Sequence, residues 1–216
     1  VNYSSGSGGT TLTFNYTVAS GHVSSDLDYA STSSLALNGG TINDAAGNAA
    51  TLTLAAVGQA NSLGANKALV IDGVVPVISN VTSSVSNGSF KINDVIPITI
   101  TFDDVVNVTG TPQLTLETGT SDAVVNYTYG SGSNTLTFFY AVAEGHVSTD
   151  LDYVGTSSLA LNNGAINDGS GNPATLTLAF PGNANSLSDN KTLILDGIPA
   201  TVSSITSTAS DGYFVV

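Results

Sequence analysis

Apolar and polar residues alternate along most of this chain. From Ile96 to Phe102, every second residue is Ile or Phe and the residues between them are Pro or Thr. The same period of two recurs in short runs at 114–116, 136–138, 159–161, 176–178 and 193–195. Short alternating runs bounded by Gly, Asn, Asp and Ser predict half-buried β-strands. No ten-residue stretch has a clear helical period, so the pattern predicts an all-β fold.

Turn residues separate the predicted strands. Residues 124–143 read as a hairpin, with a Gly- and Ser-rich turn at 130–134. A tight turn at 162–164 precedes a short strand at 165–167, and the turn at 168–172 precedes a strand at 174–179. About eight or nine short strands per module, separated by turns, indicate a β-sandwich. The predicted core consists of Ile98, Ile100, Phe102, Leu114, Leu116, Leu136, Phe138, Tyr140, Leu159, Leu161, Leu176, Leu178, Leu193 and Leu195.

The chain also repeats itself with a period of 124 residues. Residues 1–92 align with residues 125–216 without a gap, and 56 of these 92 pairs are identical. If a module begins after Gly73, residues 1–73 are the C-terminal part of one repeat, 74–197 a complete repeat and 198–216 the N-terminal part of the next. Joining the two partial copies would still leave out the equivalent of 93–124. The repeat therefore suggests a window cut from a longer tandem array.

Composition narrows the possible partners. The net charge is −13, with three Lys and Arg residues in total, and only 9% of residues are charged. Binding to nucleic acid or to an anionic membrane surface requires a cationic footprint, so neither is expected. No apolar run approaches the roughly 20 residues that span a bilayer, so no membrane insertion is expected. The chain has no Cys, which excludes disulfides and thiolate metal sites.

Several segments of the complete repeat resemble a known group of modules. They are ITITF at 98–102, VTGTPQLTLETG at 108–119, INDGSGN at 166–172 and the Asp-Gly linker with Pro at 196–199. The chain resembles the bacterial immunoglobulin-like or cadherin-like modules that repeat in giant cell-surface and biofilm adhesins. The resemblance implies tandem immunoglobulin-like β-sandwiches, an extracellular location and a structural or adhesive role. It also implies Ca²⁺ held by acidic loop residues near module junctions.

The acidic residues are few, and most lie in predicted turns. Ca²⁺ prefers oxygen ligands from carboxylates, amides and backbone carbonyls, which loops rich in Asp, Asn and Gly supply. Asp and Asn are also ordinary turn formers that accept local backbone N–H groups. The Asp-Leu-Asp-Tyr runs have a second interpretation, a tyrosine corner in which Tyr29 and Tyr153 bond the backbone. The candidate metal ligands are Asp26, Asp28, Asp44, Asn48, Asp72, Asp94, Asp103, Asp104, Asp150, Asp152, Asp168, Asn172 and Asp196.

Catalysis is not expected, since each copy carries a single His, His22 or His146, and no nucleophile motif accompanies it. One His without Cys does not build a zinc site, so packing or loop capping is its expected role. Lys67 and Lys191 open the predicted last strand of each copy. They are interpreted as edge-strand charges that discourage aggregation, in preference to isopeptide donors.

Two functions remain open at this stage. The first is a structural spacer or fibre-forming repeat whose partners are neighbouring copies in the same or adjacent chains; lateral assembly into a filament stays open. The alternative is an adhesin module that binds glycan, ice or a cell surface. Surface glycans would then be partners, and Tyr3, Tyr127 and Tyr129 would be the candidate aromatics. Ser5 occupies the position equivalent to Tyr129, which weakens the second function.

Overall fold

The computed structural model describes residues 1–215. The chain divides into two compact units, Val1–Val75 and Pro76–Val216. With 33% strand and 4% helix, the chain is nearly all-β and its curled sheets are consistent with a β-sandwich-like fold. No described helix is long and apolar enough to cross a membrane. That the units are copies of one module remains a prediction.

The first unit contains two small antiparallel strand pairs and one helical turn. β1 pairs with β2, and β3 pairs with β4. No hydrophobic side chain in residues 1–75 is fully buried. The elements are β1 (Tyr3–Ser5), β2 (Thr13–Phe14), β3 (Val23–Ser24), α1 (Leu63–Asn66) and β4 (Ile71–Asp72).

The second unit contains ten strands and one helical turn. The predicted hairpin is confirmed as β9 and β10, and the predicted short strand at 165–167 is confirmed as β13. The elements are β5 (Ile78–Ser83), β6 (Gly88–Lys91), β7 (Val95–Thr109), β8 (Gln113–Leu116), β9 (Ala123–Tyr129), β10 (Ser133–Ala141), β11 (Val147–Ser148), β12 (Leu159–Ala160), β13 (Ala165–Asn167), α2 (Leu187–Asn190) and β14 (Leu193–Asp196).

These strands form a large sheet and a small one. The large sheet runs in the order β12-β8-β9-β10-β7-β13, and β5 pairs with the first half of β7. The small sheet runs β11-β14-β6, in which β14 is antiparallel to β11 and parallel to β6. Buried side chains from both sheets join in one hydrophobic cluster.

β7 is the longest strand and continues past its predicted end. Its first half pairs with β5 and its last residues pair with β13. Its register with β10 shifts between the partners Thr101 and Val106. Asp103 and Asp104 therefore lie within the strand, at the irregularity, and not in a loop that follows it. The alternation predicted the strand but did not reveal that pairing resumes at Val106, beyond the irregular stretch.

The core agrees with the sequence pattern at all but two of the predicted positions. Leu161 is 37% exposed and lies just past the end of β12, in a turn where its carbonyl accepts the Gly164 N–H. Leu176 is only partly buried against the core. The predicted strand at 174–179 is wrong, since residues 173–180 make only isolated bridges, at Pro173 and Thr175.

Lys191 does not lie on a sheet edge. It caps α2, and the strand that follows, β14, has neighbours on both sides. Its Nζ donates to the carbonyl of Val85 at 2.9 Å. The edge-strand interpretation of this lysine is therefore wrong, and its ammonium group ties the start of β14 to the loop between β5 and β6.

Candidate functional site

The Asp-Leu-Asp loop of the second unit is built around the buried carboxylate of Asp152. Its Oδ2 accepts the Ser188 hydroxyl at 2.6 Å and the Gly182 N–H at 3.1 Å. Its Oδ1 accepts the Tyr153 N–H at 2.9 Å. Asp150 Oδ1 accepts the Leu193 N–H at 3.2 Å. The two carboxylates thus fasten the loop to α2 and β14.

The first unit has the same loop with one partner missing. Asp28 accepts the N–H groups of Tyr29 and Gly58, and Asp26 accepts the N–H of Leu69. Gly64 stands where the second unit has Ser188, so no hydroxyl reaches Asp28 from this position. The Oδ2 atoms of Asp26 and Asp28 lie 3.3 and 3.1 Å from the point where a Cβ on Gly64 would sit. The structure therefore brings these two candidate ligands together.

The INDxxGN turn, which is INDAAGN at 42–48 and INDGSGN at 166–172, is a closed hydrogen-bonded loop. Asp168 Oδ1 accepts the N–H groups of Ser170 and Asn172 at 2.8 Å each, and its Oδ2 accepts the Asn172 side-chain amide at 2.7 Å. Burial opposes ionisation of Asp168, but the bonds from Asn172, Ser170 and Gly171 outweigh it and lower the pKa of this carboxyl. Such a turn fixes the aspartate as an acceptor of local N–H groups.

The same turn in the first unit has the same geometry on a more open surface. Asp44 accepts the N–H groups of Ala46 and Asn48 and the Asn48 amide. Its pKa is lowered by the Asn48 side-chain bond first and by the backbone bonds next. The repeated motif therefore encodes the same local structure in both units.

The remaining candidate ligands also bond backbone nearby. Asp72 accepts the N–H of Val74, and Asp196 that of Ile198. Asp94 accepts the backbone and ammonium groups of Lys91, which lower the pKa of its carboxyl. Asp103 accepts the N–H of Val77 at 2.8 Å, and Asp104 that of Val105.

These contacts show how the candidate ligands are positioned, but they do not decide whether Ca²⁺ binds. Within residues 1–215, no three His, Asp or Glu side chains form a group that could hold a metal ion. Backbone and amide oxygens also serve Ca²⁺. The calcium site therefore stays a prediction, with Asp26 and Asp28 as the pair of acids that the geometry brings together.

The tyrosines of the Asp-Leu-Asp-Tyr runs do bond the backbone. Tyr153 donates its hydroxyl to the Ala179 carbonyl at 2.6 Å, and Tyr29 donates to Ala55 at the same distance. Burial, together with the charge of Asp152, raises the pKa of Tyr153. The backbone bond of the tyrosine-corner interpretation is confirmed. The acceptor lies 26 residues downstream, whereas a tyrosine corner bonds a few residues upstream.

The histidine has the expected packing and loop-capping role. The His146 ring stacks on Tyr140 with a centroid distance of 5.8 Å, and its Nδ1 lies 2.8 Å from the Tyr140 hydroxyl. The same Nδ1 accepts the Ala143 N–H. Burial raises the pKa of Tyr140 to about 12. His22 and Tyr16 repeat the arrangement in the first unit.

One polar network was not assigned a role from the sequence. The Asn190 amide donates to the Asn80 side chain and to the carbonyls of Val81 and Ser186. Ser186, which is fully buried, caps α2 through the Asp189 N–H. The network fastens α2 to β5. The sequence feature that could have indicated this network is the shared NSL at 61–63 and 185–187, followed by NK at 66–67 and 190–191.

Of the three candidate aromatic residues, Tyr3 and Tyr127 are anchored through their hydroxyl groups and Tyr129 is exposed. The Tyr127 hydroxyl accepts the Ser131 N–H at 2.8 Å, and its ring packs edge-on against Phe138. Tyr3 makes the same hydroxyl contact with Ser7. Tyr129 is 56% exposed, and its ring centroid lies 5.9 Å from that of Phe139, which is 43% exposed.

Comparison with known proteins assigns no relative to this architecture: no protein-family model, no curated protein and no solved structure matches the chain.

Proposed function

We propose that this chain is a structural repeat, a spacer of a long extracellular surface or fibre-forming protein of bacterial adhesin type. Its modules would be immunoglobulin-like β-sandwiches in series. The observation that carries the proposal is the 124-residue repeat, of which the second copy closes a hydrophobic core from residues of the second unit alone. Neighbouring modules that share most of their residues suit a role that depends on copy number, and no catalytic constellation is needed for it.

The path of the chain through the second unit supports this role. The chain enters the second unit at Ile78, which pairs with Phe102. It leaves at Gly197, which bonds Gly145 and His146. That exit lies near Val95, which pairs with Ala141. Seven residues of β7 separate Val95 from Phe102, which corresponds to about 23 Å along a strand. Entry and exit therefore lie at opposite ends, as a module that adds length requires.

Both connections are also held firmly. The Pro76 carbonyl accepts the Thr175 N–H at 2.8 Å, and Val77 exchanges two hydrogen bonds with Asp103. Gly197 donates to His146 and accepts from Gly145. Tension on Gly197 would pull β14 along its length and load its bonds to both neighbouring strands together. Bonds loaded together in this way resist force better than bonds that open one by one.

The proposal predicts that length grows in proportion to copy number. Inserting one, two and three further copies of residues 74–197 after Gly197 gives a matched series for small-angle X-ray scattering. The maximum dimension should rise by the same increment per copy. A compact series, in which it rises only with the cube root of mass, would contradict the spacer role.

Calcium is a separable part of the proposal. Ca²⁺ bound by the Asp26 and Asp28 loop, or by its equivalent at Asp150 and Asp152, would stabilise the folded state by RT ln(1 + c/Kd), where c is the free Ca²⁺ concentration, because it binds the folded and not the unfolded chain. We expect the melting temperature to rise with added Ca²⁺ and to fall in EDTA, with Mg²⁺ as the control. Identical melting curves in all three conditions would remove calcium while leaving the spacer role intact.

A second function, glycan binding by an adhesin module, is supported by the exposed pair of Tyr129 and Phe139. Exposed aromatic faces suit stacking on sugar rings. The first unit has Ser5 and Asn15 at these positions, so only the complete copy would bind. A glycan array probed with the chain and with Tyr129→Ala tests it, and binding that is equal for both proteins would remove this platform.

A further inference from the structure

The first unit exposes side chains whose counterparts in the second unit are buried. Phe14 is 39% exposed, whereas Phe138, at the equivalent position, is fully buried. Leu69 is 41% exposed, whereas Leu193 is fully buried. The same contrast separates Tyr16, Val18 and Leu63 from Tyr140, Val142 and Leu187.

This contrast is confined to particular positions. Leu37 and its equivalent Leu161 are 43% and 37% exposed, so this position faces solvent in both units. The exposure of Phe14 and Leu69 therefore marks positions that the second unit covers and the first does not. Exposed apolar surface larger than scattered single side chains marks an interaction site.

An open cleft of about 430 Å³ in the first unit includes Phe14 in its lining. The larger apolar residues that line it are Tyr3, Leu12, Phe14, Leu35, Leu37 and Ile42. Four of the equivalent residues in the second unit lie directly opposite residues of β7 and β8. The pairs are Leu136 with Ile100, Phe138 with Ile98, Ile166 with Val108 and Leu159 with Leu114. The cleft thus lies at the positions beside which β7 and β8 pair in the complete copy.

One strand edge is open beside the cleft. Among the described strands, β2 pairs only with β1, whereas the equivalent β10 pairs with both β9 and β7. An open strand edge beside an apolar cleft is a template for an added strand.

We propose that the first unit is an acceptor for the N-terminal part of a further copy of this repeat, a segment equivalent to residues 74–124. Its β7 would add to β2 in the register seen in the second unit, and its β8 would lie beside Leu35. The chain's own residues 76–124 already serve the second unit, so the occupant is another copy. The proposal rests on the repeat and on the burial contrast, and it holds whether or not the protein is a spacer.

The test uses the full 216-residue chain and a synthetic peptide of residues 74–124. Hydrogen exchange followed by mass spectrometry reports separately on each segment of the first unit. With the peptide in excess, exchange in residues 11–18 and 35–43 should slow at least about tenfold, because the open edge of β2 becomes paired and the cleft becomes covered.

Two double-Asp peptides provide a matched control. Ile98→Asp with Ile100→Asp places charges on positions that are fully buried in the second unit. Val105→Asp with Val124→Asp adds the same charge at positions that are 48% and 56% exposed. The second peptide should protect the first unit like the unchanged peptide, and the first should not.

The absence of Cys allows a direct check of register. Thr137 pairs with Thr99 in the second unit, so Thr13→Cys in the chain should form a disulfide with a Thr99→Cys peptide. A Thr109→Cys peptide should not, because Thr109 pairs with Ala165 at a different place.

The proposal is supported if the unchanged peptide and the Val105→Asp, Val124→Asp peptide both protect the first unit and if only the Thr99→Cys peptide forms the cross-link. Equal protection by both double-Asp peptides, or none by the unchanged peptide, overturns it. Protection in the chain without peptide, accompanied by a dimer in sedimentation, also overturns it and assigns the face to self-association.

Discussion

Replacing Asp152 with Asn tests whether the Asp-Leu-Asp loop is held by hydrogen bonds or by a metal. The carboxylate is 7% exposed and accepts two backbone N–H groups and the Ser188 hydroxyl at 3.1 Å or less. An Asn side chain has one acceptor oxygen. If it faces Ser188 and Gly182, its amide group faces the Tyr153 N–H, which is then left without an acceptor.

The magnitude follows from these bonds. Hydrogen bonds to charged groups contribute about 1.5–3 kcal/mol, and a buried donor without a partner costs about 1–3 kcal/mol. Because two of the bonds survive in weaker form, we expect a loss of about 2–3 kcal/mol in the free energy of unfolding. In a domain of roughly 120 residues, 1 kcal/mol moves the melting temperature by about 4 °C, so the expected fall is about 8–12 °C.

The assay is calorimetric melting of the chain and of Asp152→Asn, each in Ca²⁺ and in EDTA. Asp28→Asn is the matched control, because it changes the same position in the first unit and should leave the transition of the second unit unchanged. If hydrogen bonds dominate, the fall is the same in both buffers. A fall seen only in Ca²⁺ would refute this reasoning and make Asp152 a metal ligand.

Three further outcomes are expected. Tyr153→Phe removes the bond to Ala179 and should lower the free energy of unfolding, measured in urea, by about 1–3 kcal/mol; a change below 0.5 kcal/mol would contradict the buried bond. The pKa of Asp168 lies below its ordinary 3.8, so its ionised form stabilises the fold above that pH. The deficit of Asp168→Asn in melting temperature should therefore be constant near neutrality and shrink as pH falls below 3.8, and a deficit that grows in acid would reverse the sign. Gly64→Ser supplies the missing hydroxyl to Asp28 and should slow amide exchange at 58–66, whereas Gly64→Ala, with the same helix preference or better but no hydroxyl, should slow it less.

Local patterns predicted those parts of the structure that depend on neighbouring residues in the chain. The alternation around Ile98 and Ile100 identified a strand with one buried face, since side chains point to opposite faces with a period of two. The Gly-rich turn at 130–134 located the β9–β10 hairpin. The INDxxGN motif encodes its own hydrogen bonds, so its turn forms in both units.

Features that depend on distant residues escaped this kind of prediction. Asp103 lies within β7 because β5 and β13 flank the strand on both sides of the irregularity. Lys191 precedes a central strand because β6, about 100 residues earlier, pairs with β14. No local pattern distinguishes an aspartate that closes a turn from one that binds a metal, because both need the same residue types in the same loops.

The sequence by itself determined the all-β character, the repeat and most of the core positions, because alternation, turn residues and self-similarity are written in consecutive letters. Only the tertiary structure decided which equivalent side chains are covered. Phe14 and Phe138 are equivalent phenylalanines in nearly the same local sequence, yet only Phe138 is buried. In the second unit β7 pairs beside the strand that carries Phe138, and this pairing depends on a segment elsewhere in the chain.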